Sequence, residues 1–306
     1  MLNLMGLRLI QAVITMLAAS FVVFALAHTS GNPADLMLPQ DTTPADREVF
    51  IKRMGFDQPM HSQYWTFLKN ALRGDFGTSI RTREPSTKLV MDRLGNSLKL
   101  GTVAIVIALA ISVPIGILAA IGRGNWLDKS AMSFALFGQA VPAFWAGIIA
   151  VLVFSVWLGW LPTSGAASWK HYILPSATLG WGITAGIVRL LRSSMLDVLD
   201  SEYIKLARAK GLREYIVVWK HALRNALIPV ITFVGFMYGI IIAGAIVVEV
   251  VFAWPGLGRL TYEAVLWRDF PVLQLSIMVW VALIIFINFL VDISYGIIDP
   301  RVRIAR

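Results

Sequence analysis

The chain has 306 residues, of which 57% are hydrophobic and 15% charged, and its formal net charge is +9. This composition excludes an ordinary soluble domain and favours an integral membrane protein, in which the basic residues between apolar runs set orientation rather than bind nucleic acid. The chain has no cysteine, and its four histidines are far apart, so the sequence predicts no disulfide, catalytic, cofactor or metal site.

Six uncharged runs approach the roughly 20 residues that a helix needs to cross a bilayer. They are Leu9–Ala27, Leu100–Gly122, Ser130–Leu161, Tyr172–Val188, Asn225–Val248 and Phe270–Val291. The sequence therefore predicts an all-α integral membrane protein with six transmembrane helices.

The first run could also be read as a cleaved signal peptide, because Arg8 precedes it and Ala25 and Ala27 form a small-residue cleavage pattern. The run is, however, longer than the roughly 7–15 apolar residues of a signal-peptide core. We therefore expect a retained transmembrane span.

Prolines mark irregular points in the third and fourth runs. Pro142 predicts a kink or a break near Gln139–Ala143. Pro175 suits the first turn of the fourth helix, whose far end is expected at Arg189 and Arg192.

The segment between the first two runs, residues 29–92, carries signals for two helices and is expected to form a small folded unit outside the membrane. Thr43 is a predicted N-cap, with Pro44 in the first turn and Gly55 as the stop. A second helix is predicted after Pro59, with Gly74 ending it. Its spaced apolar residues are Tyr64, Trp65, Leu68 and Leu72.

Lys and Arg are unevenly distributed between alternate loops, and positive residues in short loops stay in the cytoplasm. One side of the membrane receives Arg8, Arg123, Lys129, the basic residues of 189–224, Arg301, Arg303 and Arg306. The short loops opposite hold Lys170, Arg259 and Arg268. Both termini are therefore predicted to be cytoplasmic.

The longest cytoplasmic loop, residues 192–225, is predicted to contain two helices. Asp200 or Ser201 caps the first helix, and Gly211 separates it from the second. The apolar face of the second helix has Tyr215, Val218, Trp219, Ala222, Leu223 and Ala226. Spacing alone leaves two interpretations open, a helix anchored to anionic lipid and a surface that docks a soluble partner.

The segment Glu202–Val230, EYIKLARAKGLREYIVVWKHALRNALIPV, resembles the EAA coupling loop of importer permeases. Ala207 and Gly211 match that motif, whereas Lys205 and Leu206 stand where it has the acid and the first alanine. Five more blocks resemble the same family. They are Gly55–Pro59, DFGTS at 75–79, LPTSG at 161–165, VVEVVFAWPGLG at 247–258 and DISYGIIDPR at 292–301.

Together these blocks resemble the permeases of dipeptide, oligopeptide, glutathione and nickel ATP-binding cassette importers, specifically the first of the two permeases. The resemblance implies a type I importer permease fold, with a first span in 1–28, an extracytoplasmic segment 29–92, a five-helix core 93–296 and a cytoplasmic tail 297–306. It also implies that the coupling loop contacts an ATPase. The residues assigned to that contact are Glu202, Leu206, Ala207, Arg208, Ala209, Gly211, His221 and Arg224.

The partners implied by this resemblance are a second homologous permease, two ATPase subunits, an extracytoplasmic solute-binding protein and the lipid of a bacterial inner membrane. The chain has no GxxxxGK[ST] motif, so ATP hydrolysis is expected in other subunits. Closure of the ATPases would push the loop and tilt the spans. Ala207 and Gly211 are expected to make the closest approach, because small residues admit a neighbouring surface.

Glu249 lies at the outer end of the fifth run, where a charge is a candidate for a gate or for a structural contact. Its position near the interface favours pairing with Arg259 or Arg268, or capping of the turn at Pro255 and Gly256.

Asp292, at the cytoplasmic end of the sixth run, is similarly expected to fix that end of the helix.

Two other classes of membrane protein would show different residues within the spans. An ion-coupled secondary transporter is the alternative, but it would need paired acids near mid-membrane. A membrane enzyme would need a nucleophile with a base or clustered ligands, and the sequence shows neither.

Overall fold

The computed structural model describes residues 2–29, 38, 42–55 and 57–298, and the side chains of these residues apart from 2–5, 28–29, 50, 53–54, 242–244 and 292–298. The described residues are mainly helical. The helices are α1 (Leu2–Thr29), α2 (Pro44–Met54), α3 (Met60–Leu72), α4 (Ser86–Ile121), α5 (Trp126–Ala140), α6 (Ala143–Ala150), α7 (Lys170–Leu199), α8 (Glu202–Ala209), α9 (Glu214–Ile216), α10 (Leu223–Val251), α11 (Leu257–Leu266) and α12 (Phe270–Ile298). Two π-helical segments, Val151–Trp157 and Val217–Ala222, extend α6 and join α9 to α10.

In the part of the chain that the structure describes, five helices are long and apolar enough to cross a membrane. A sixth crossing results if the bent pair Trp126–Ala140 and Ala143–Trp157 counts as one span. The two members of this pair meet at an angle of 104°. Pro142 is the N-cap of α6, so the predicted break is confirmed. Its ring removes a backbone donor and prevents α5 from continuing.

The fourth span is longer than the sequence predicted. Helix α7 begins at Lys170 and ends at Leu199, so Pro175 lies inside the helix rather than in its first turn. Arg189 and Arg192 likewise lie within the helix, before its last turns. Hydropathy underestimated this helix because its last turns leave the apolar run while the backbone stays helical.

The described chain divides into two compact units, and the first consists of Met1–Asn96 and Pro255–Ile285. Within it the predicted beginning and end of α2 are confirmed. The Thr43 hydroxyl accepts the backbone N–H of Asp46, and Gly55 ends the helix with φ of 72°. Helix α3 contacts the first span, where the hydroxyls of Tyr64 and Ser20 lie 2.8 Å apart.

Another contact of the first unit joins segments far apart in sequence. The buried carboxylate of Asp269 accepts the Ser79 hydroxyl and, at 3.1 Å, the backbone N–H of Ile80. These bonds attach the loop before α4 to the turn between α11 and α12.

The second unit consists of Ser97–Trp254 and Phe286–Arg306 and has α7 at its centre. Helix α7 packs against α5, α6 and α10. At Gly180 an added Cβ would lie 2.9 Å from the Ala104 carbonyl oxygen, so the missing side chain permits close approach of α4. The fully buried side chains Ile187, Leu191 and Met195 extend the core toward the end of α7.

Tryptophans near helix ends are exposed, as expected for an aromatic belt at the membrane interface. They are Trp126, Trp157, Trp160, Trp169 and Trp267.

Candidate functional site

The loop after α7 contains a short helix bounded by two clear backbone signals. Ser201 has extended backbone angles (φ −72°, ψ 152°) and precedes α8, and its hydroxyl donates to the Val198 carbonyl. Gly211 follows α8 with φ of 78°, and its N–H donates to the Arg208 carbonyl at 2.9 Å. A left-handed conformation is costly for most residues with a Cβ, so this turn favours glycine. The predicted first loop helix and its glycine break are therefore both confirmed.

Helix α8 has one face in the core of its own unit and one face open. Ile204 and Ala207 are 0% and 9% exposed and belong to the main hydrophobic core. The small side chain of Ala207 thus packs within the chain itself, and its closest approach to a partner stays a prediction. The open face includes Leu206, which is 56% exposed.

Charged residues surround this exposed leucine and pair along the loop. Glu202, Arg208 and Ala209 are exposed. Lys205 Nζ lies 2.8 Å from Glu202 Oε1. Arg208 Nη2 lies 2.6 Å from Glu214 Oε1, and its Nε donates to Oε2 at 3.2 Å. The side-chain hydrogen bond with Glu214 raises the pKa of Arg208 above its ordinary value.

The Arg208–Glu214 contact spans the turn at Gly211. It joins α8 to α9 and so limits the positions that the turn can adopt. A bidentate guanidinium–carboxylate pair has directional geometry, although its exposure to solvent reduces its contribution to stability.

The helix after this turn does not present a single apolar face to its surroundings. Tyr215 and Trp219 are exposed, at 61% and 55%. The other members of the predicted face, Val218, Ala222, Leu223 and Ala226, are buried in the core. The π-helical segment lies within this stretch and shifts the register of successive side chains relative to an ideal α-helix. Of the predicted apolar face, Tyr215 and Trp219 are thus the members available to lipid or to a partner.

A polar contact attaches α8 to the start of α10. Asn225 Nδ2 donates to the Tyr203 hydroxyl at 2.7 Å and to the His221 carbonyl at 3.2 Å. His221 is half-buried, whereas Arg224 is exposed. His221 contributes through its backbone carbonyl. The predicted coupling residues at the surface are Glu202, Leu206, Arg208, Ala209, Gly211 and Arg224.

The remaining predicted site residues have separate environments. Glu249 is fully buried, and its Oε1 lies 2.5 Å from the Ser97 hydroxyl. The Pro255 carbonyl accepts Asn96 Nδ2 at 2.9 Å, and Gly256 is the N-cap of α11 with extended backbone. The side chain of Asp292 lies outside the described residues, as does most of the predicted tail.

Two residues that sequence reasoning did not pair meet near the end of α7. Asp128, in the first turn of α5, forms a buried ion pair with Arg192. The sequence signals were weak: an acid in the first turn of a helix, which suits the helix dipole, and an arginine just beyond the fourth apolar run. Neither signal identifies the other residue as its partner.

No group of three or more His, Asp or Glu side chains that could hold a metal ion occurs among the residues that the structure describes.

Comparisons with known proteins relate both parts of the chain to transport systems. Residues 112–304 match the family described as binding-protein-dependent transport system inner membrane component, and residues 1–101 match its N-terminal family. The glutathione transport system permease protein GsiC of Escherichia coli K12 is 43% identical over 304 residues, covering 99% of each chain. The protein of the same name from Salmonella paratyphi A is 42% identical over the same length.

Solved structures show the same fold at lower identity. An inward-facing form of the MetNI methionine ABC transporter has a TM-score of 0.59 at 18% identity and covers 69% of this chain and 96% of that one. An amino acid ABC transporter solved with histidines has a TM-score of 0.55 at 15% identity, covering 68% of this chain and 93% of that one. These similarities show an all-α type I importer permease fold.

Proposed function

From the premise that this chain belongs to the family of inner membrane components of binding-protein-dependent transport systems, we propose that it forms half of a solute pathway. The chain is a multi-pass permease subunit of an ATP-binding cassette importer in a bacterial inner membrane, and it is not an enzyme. Such permeases act with ATPases, a partner permease and a binding protein. For this chain we infer one second permease and two ATPase subunits. Nothing in the comparisons supports the ion-coupled alternative.

The coupling role is proposed from one observation, which is that α8 has one buried face and one exposed face. The helix is anchored on one side by Ile204 and Ala207 and presents Leu206 on the other. A half-exposed leucine between charged residues suits contact with a soluble subunit, because burial of an apolar side chain contributes about 1.5–3 kcal/mol. The ATPase subunit is the proposed occupant of this surface.

Transmission of a push on α8 requires that the helix does not slide over its own unit. Its buried side chains and the Tyr203–Asn225 hydrogen bond attach it to the core and to α10. The link to α7 is covalent, through the short turn at 200–201. Displacement of α8 would therefore move these spans as a body, which is how coupling of ATP binding to alternating access is expected to work.

We propose both termini in the cytoplasm, on the strength of the uneven Lys and Arg distribution. In that orientation α8 faces the cytoplasm, and segment 29–92 lies on the opposite side. The proposed cargo is a small peptide, and glutathione is the first solute to test because it appears in the names of the full-length relatives.

Reconstitution tests this proposal. The chain is placed in liposomes with a second permease, ATPases and a binding protein, and uptake of labelled glutathione and of a dipeptide is followed. Uptake is expected only with ATP and the complete set of subunits. ATP-dependent uptake by the chain without ATPase subunits would overturn the proposal.

A further inference from the structure

A buried ion pair joins two spans at the end of α7 that carries the coupling helix. Arg192 Nη2 donates to Asp128 Oδ2 at 2.7 Å, and its Nε donates to Oδ1. The side chains are 23% and 6% exposed, respectively. Two parallel hydrogen bonds fix both the distance and the orientation of the guanidinium relative to the carboxylate.

The carboxylate is held by the local backbone as well as by Arg192. Oδ2 of Asp128 accepts the N–H of Gly124 at 2.9 Å. The backbone N–H of Asp128 donates to the Asn125 side chain at 3.1 Å, which caps α5. The first turn of α5 thus holds the Asp128 carboxylate in a fixed position, and the Arg192 guanidinium pairs with it there.

A second ion pair lies nearer to α8. Arg123 Nη1 lies 3.5 Å from Asp200 Oδ2, and both side chains are largely exposed. Asp200 is the C-cap of α7 and comes two residues before α8. The last turns of α7 therefore contact the first turn of α5 through Asp128 and the loop before α5 through Arg123.

The order of the helices along the chain shows how a displacement of α8 can reach the bent span. Helix α8 is joined by the chain to α7 on one side and to α9 on the other. The bent span α5–α6 has no direct chain connection to α8, and residues 158–169 join it to the start of α7, far along the chain from α8. Near α8, a displacement therefore reaches α5 through noncovalent contacts with α7. Apolar packing around Ala131 and Val188 contributes to those contacts, but it lacks the directionality of a bidentate ion pair.

We propose that Asp128 and Arg192 are positioning residues that make the bent span move together with α7 when the ATPase displaces α8. This inference rests on the proposed function. It assigns to the pair a role in transport efficiency beyond holding the fold, because loss of the pair would let α7 move without α5.

The test uses the complete importer in proteoliposomes and measures solute imported per ATP hydrolysed, together with the amount of assembled complex. Asp128→Asn and Arg192→Gln are each expected to lower this ratio about tenfold while ATP hydrolysis per complex persists. The double variant should be no worse than either single variant, because both remove the same contact. Arg192→Lys keeps the positive charge but loses the two-point geometry, so its ratio should lie between that of Arg192→Gln and that of the unmodified importer.

The matched control is Lys88→Gln, which removes an exposed pair between α4 and Glu84, two residues before that helix begins. Its ratio should equal that of the unmodified importer. An unchanged ratio in assembled Asp128→Asn or Arg192→Gln complexes would overturn the inference. So would uptake and ATP hydrolysis that fall in proportion to the amount of complex, since that result indicates a structural role alone.

An Arg192→Lys ratio no higher than that of Arg192→Gln would also contradict the ion-pair argument. The unmodified importer separates this inference from the proposed function. If it shows no ATP-dependent uptake with all subunits present, the proposed function fails. If it transports normally and the variants keep their ratio, only the inference about the pair fails.

Discussion

The Ser97 hydroxyl lies 2.5 Å from Oε1 of Glu249, and the two side chains are 1% and 0% exposed. The bond joins α4 to α10 inside the second unit. A buried carboxylate needs hydrogen-bond donors, because its transfer out of water is otherwise very unfavourable. Ser97 is a donor to Glu249 that the sequence did not indicate, whereas the pairing of Glu249 with Arg259 or Arg268 and its capping of the turn stay predictions.

Ser97→Ala is predicted to lower the free energy of unfolding by about 1–3 kcal/mol, because it removes a donor from a buried carboxylate. Thermal unfolding of the purified protein in detergent measures the change. Ser133→Ala, at an exposed position on α5, is the control and should unfold as the unmodified chain does. An unchanged unfolding midpoint in Ser97→Ala would show that the bond contributes nothing to stability.

Single cysteines test the orientation, because the chain has no native cysteine to interfere. Lys52→Cys on α2 and Lys210→Cys after α8 both lie at exposed positions. A thiol reagent that cannot cross the membrane is expected to label Lys52→Cys in intact cells and to label Lys210→Cys only after permeabilisation. The reverse pattern would place the termini outside.

Leu206→Glu is predicted to weaken association with the ATPase about tenfold or more, because the exposed leucine is the proposed anchor of the contact. Co-purification of the ATPase with the tagged chain measures association. Leu206→Met, which keeps an apolar side chain of similar volume, is the matched control and should associate normally. Normal association of Leu206→Glu would refute the docking surface.

The burial of Ala207 in the core of its own unit leads to a further expectation. Ala207→Leu should lower the amount of folded chain itself, since the larger side chain enters a packed core and overpacking costs typically 1–3 kcal/mol. The level of the chain in the membrane and its unfolding midpoint are the measurements. If both stay normal while ATPase association falls, Ala207 contacts the partner directly.

Substitutions of Gly211 distinguish a requirement for left-handed backbone angles from a requirement for an absent side chain. An added Cβ would meet no atom within 4 Å in the described chain, yet φ is 78°. Gly211→Val is therefore predicted to impair ATPase association more than Gly211→Asn, because asparagine tolerates the left-handed region and a β-branched residue does not. Equal effects of the two variants would indicate that the partner needs an uncovered glycine.

The sequence by itself determined the features that depend on local chemistry. Apolar run length predicted the spans, Pro142 predicted the break between α5 and α6, and Thr43 with Gly55 predicted the ends of α2. Gly211 was likewise identified as the turn after α8. Each of these depends on a few neighbouring residues, since caps, prolines and left-handed turns act through the adjacent backbone.

Tertiary structure alone decided which faces are buried and which distant charges meet. Ala207 was singled out by its match to the coupling-loop motif and its small size, and only packing against the core showed that its side chain is buried. Asp128 and Arg192 are 64 positions apart, and Ser97 and Glu249 are 152 apart. Periodicity specifies the faces of one helix but not the neighbour each face meets, which is set by how the helices pack together.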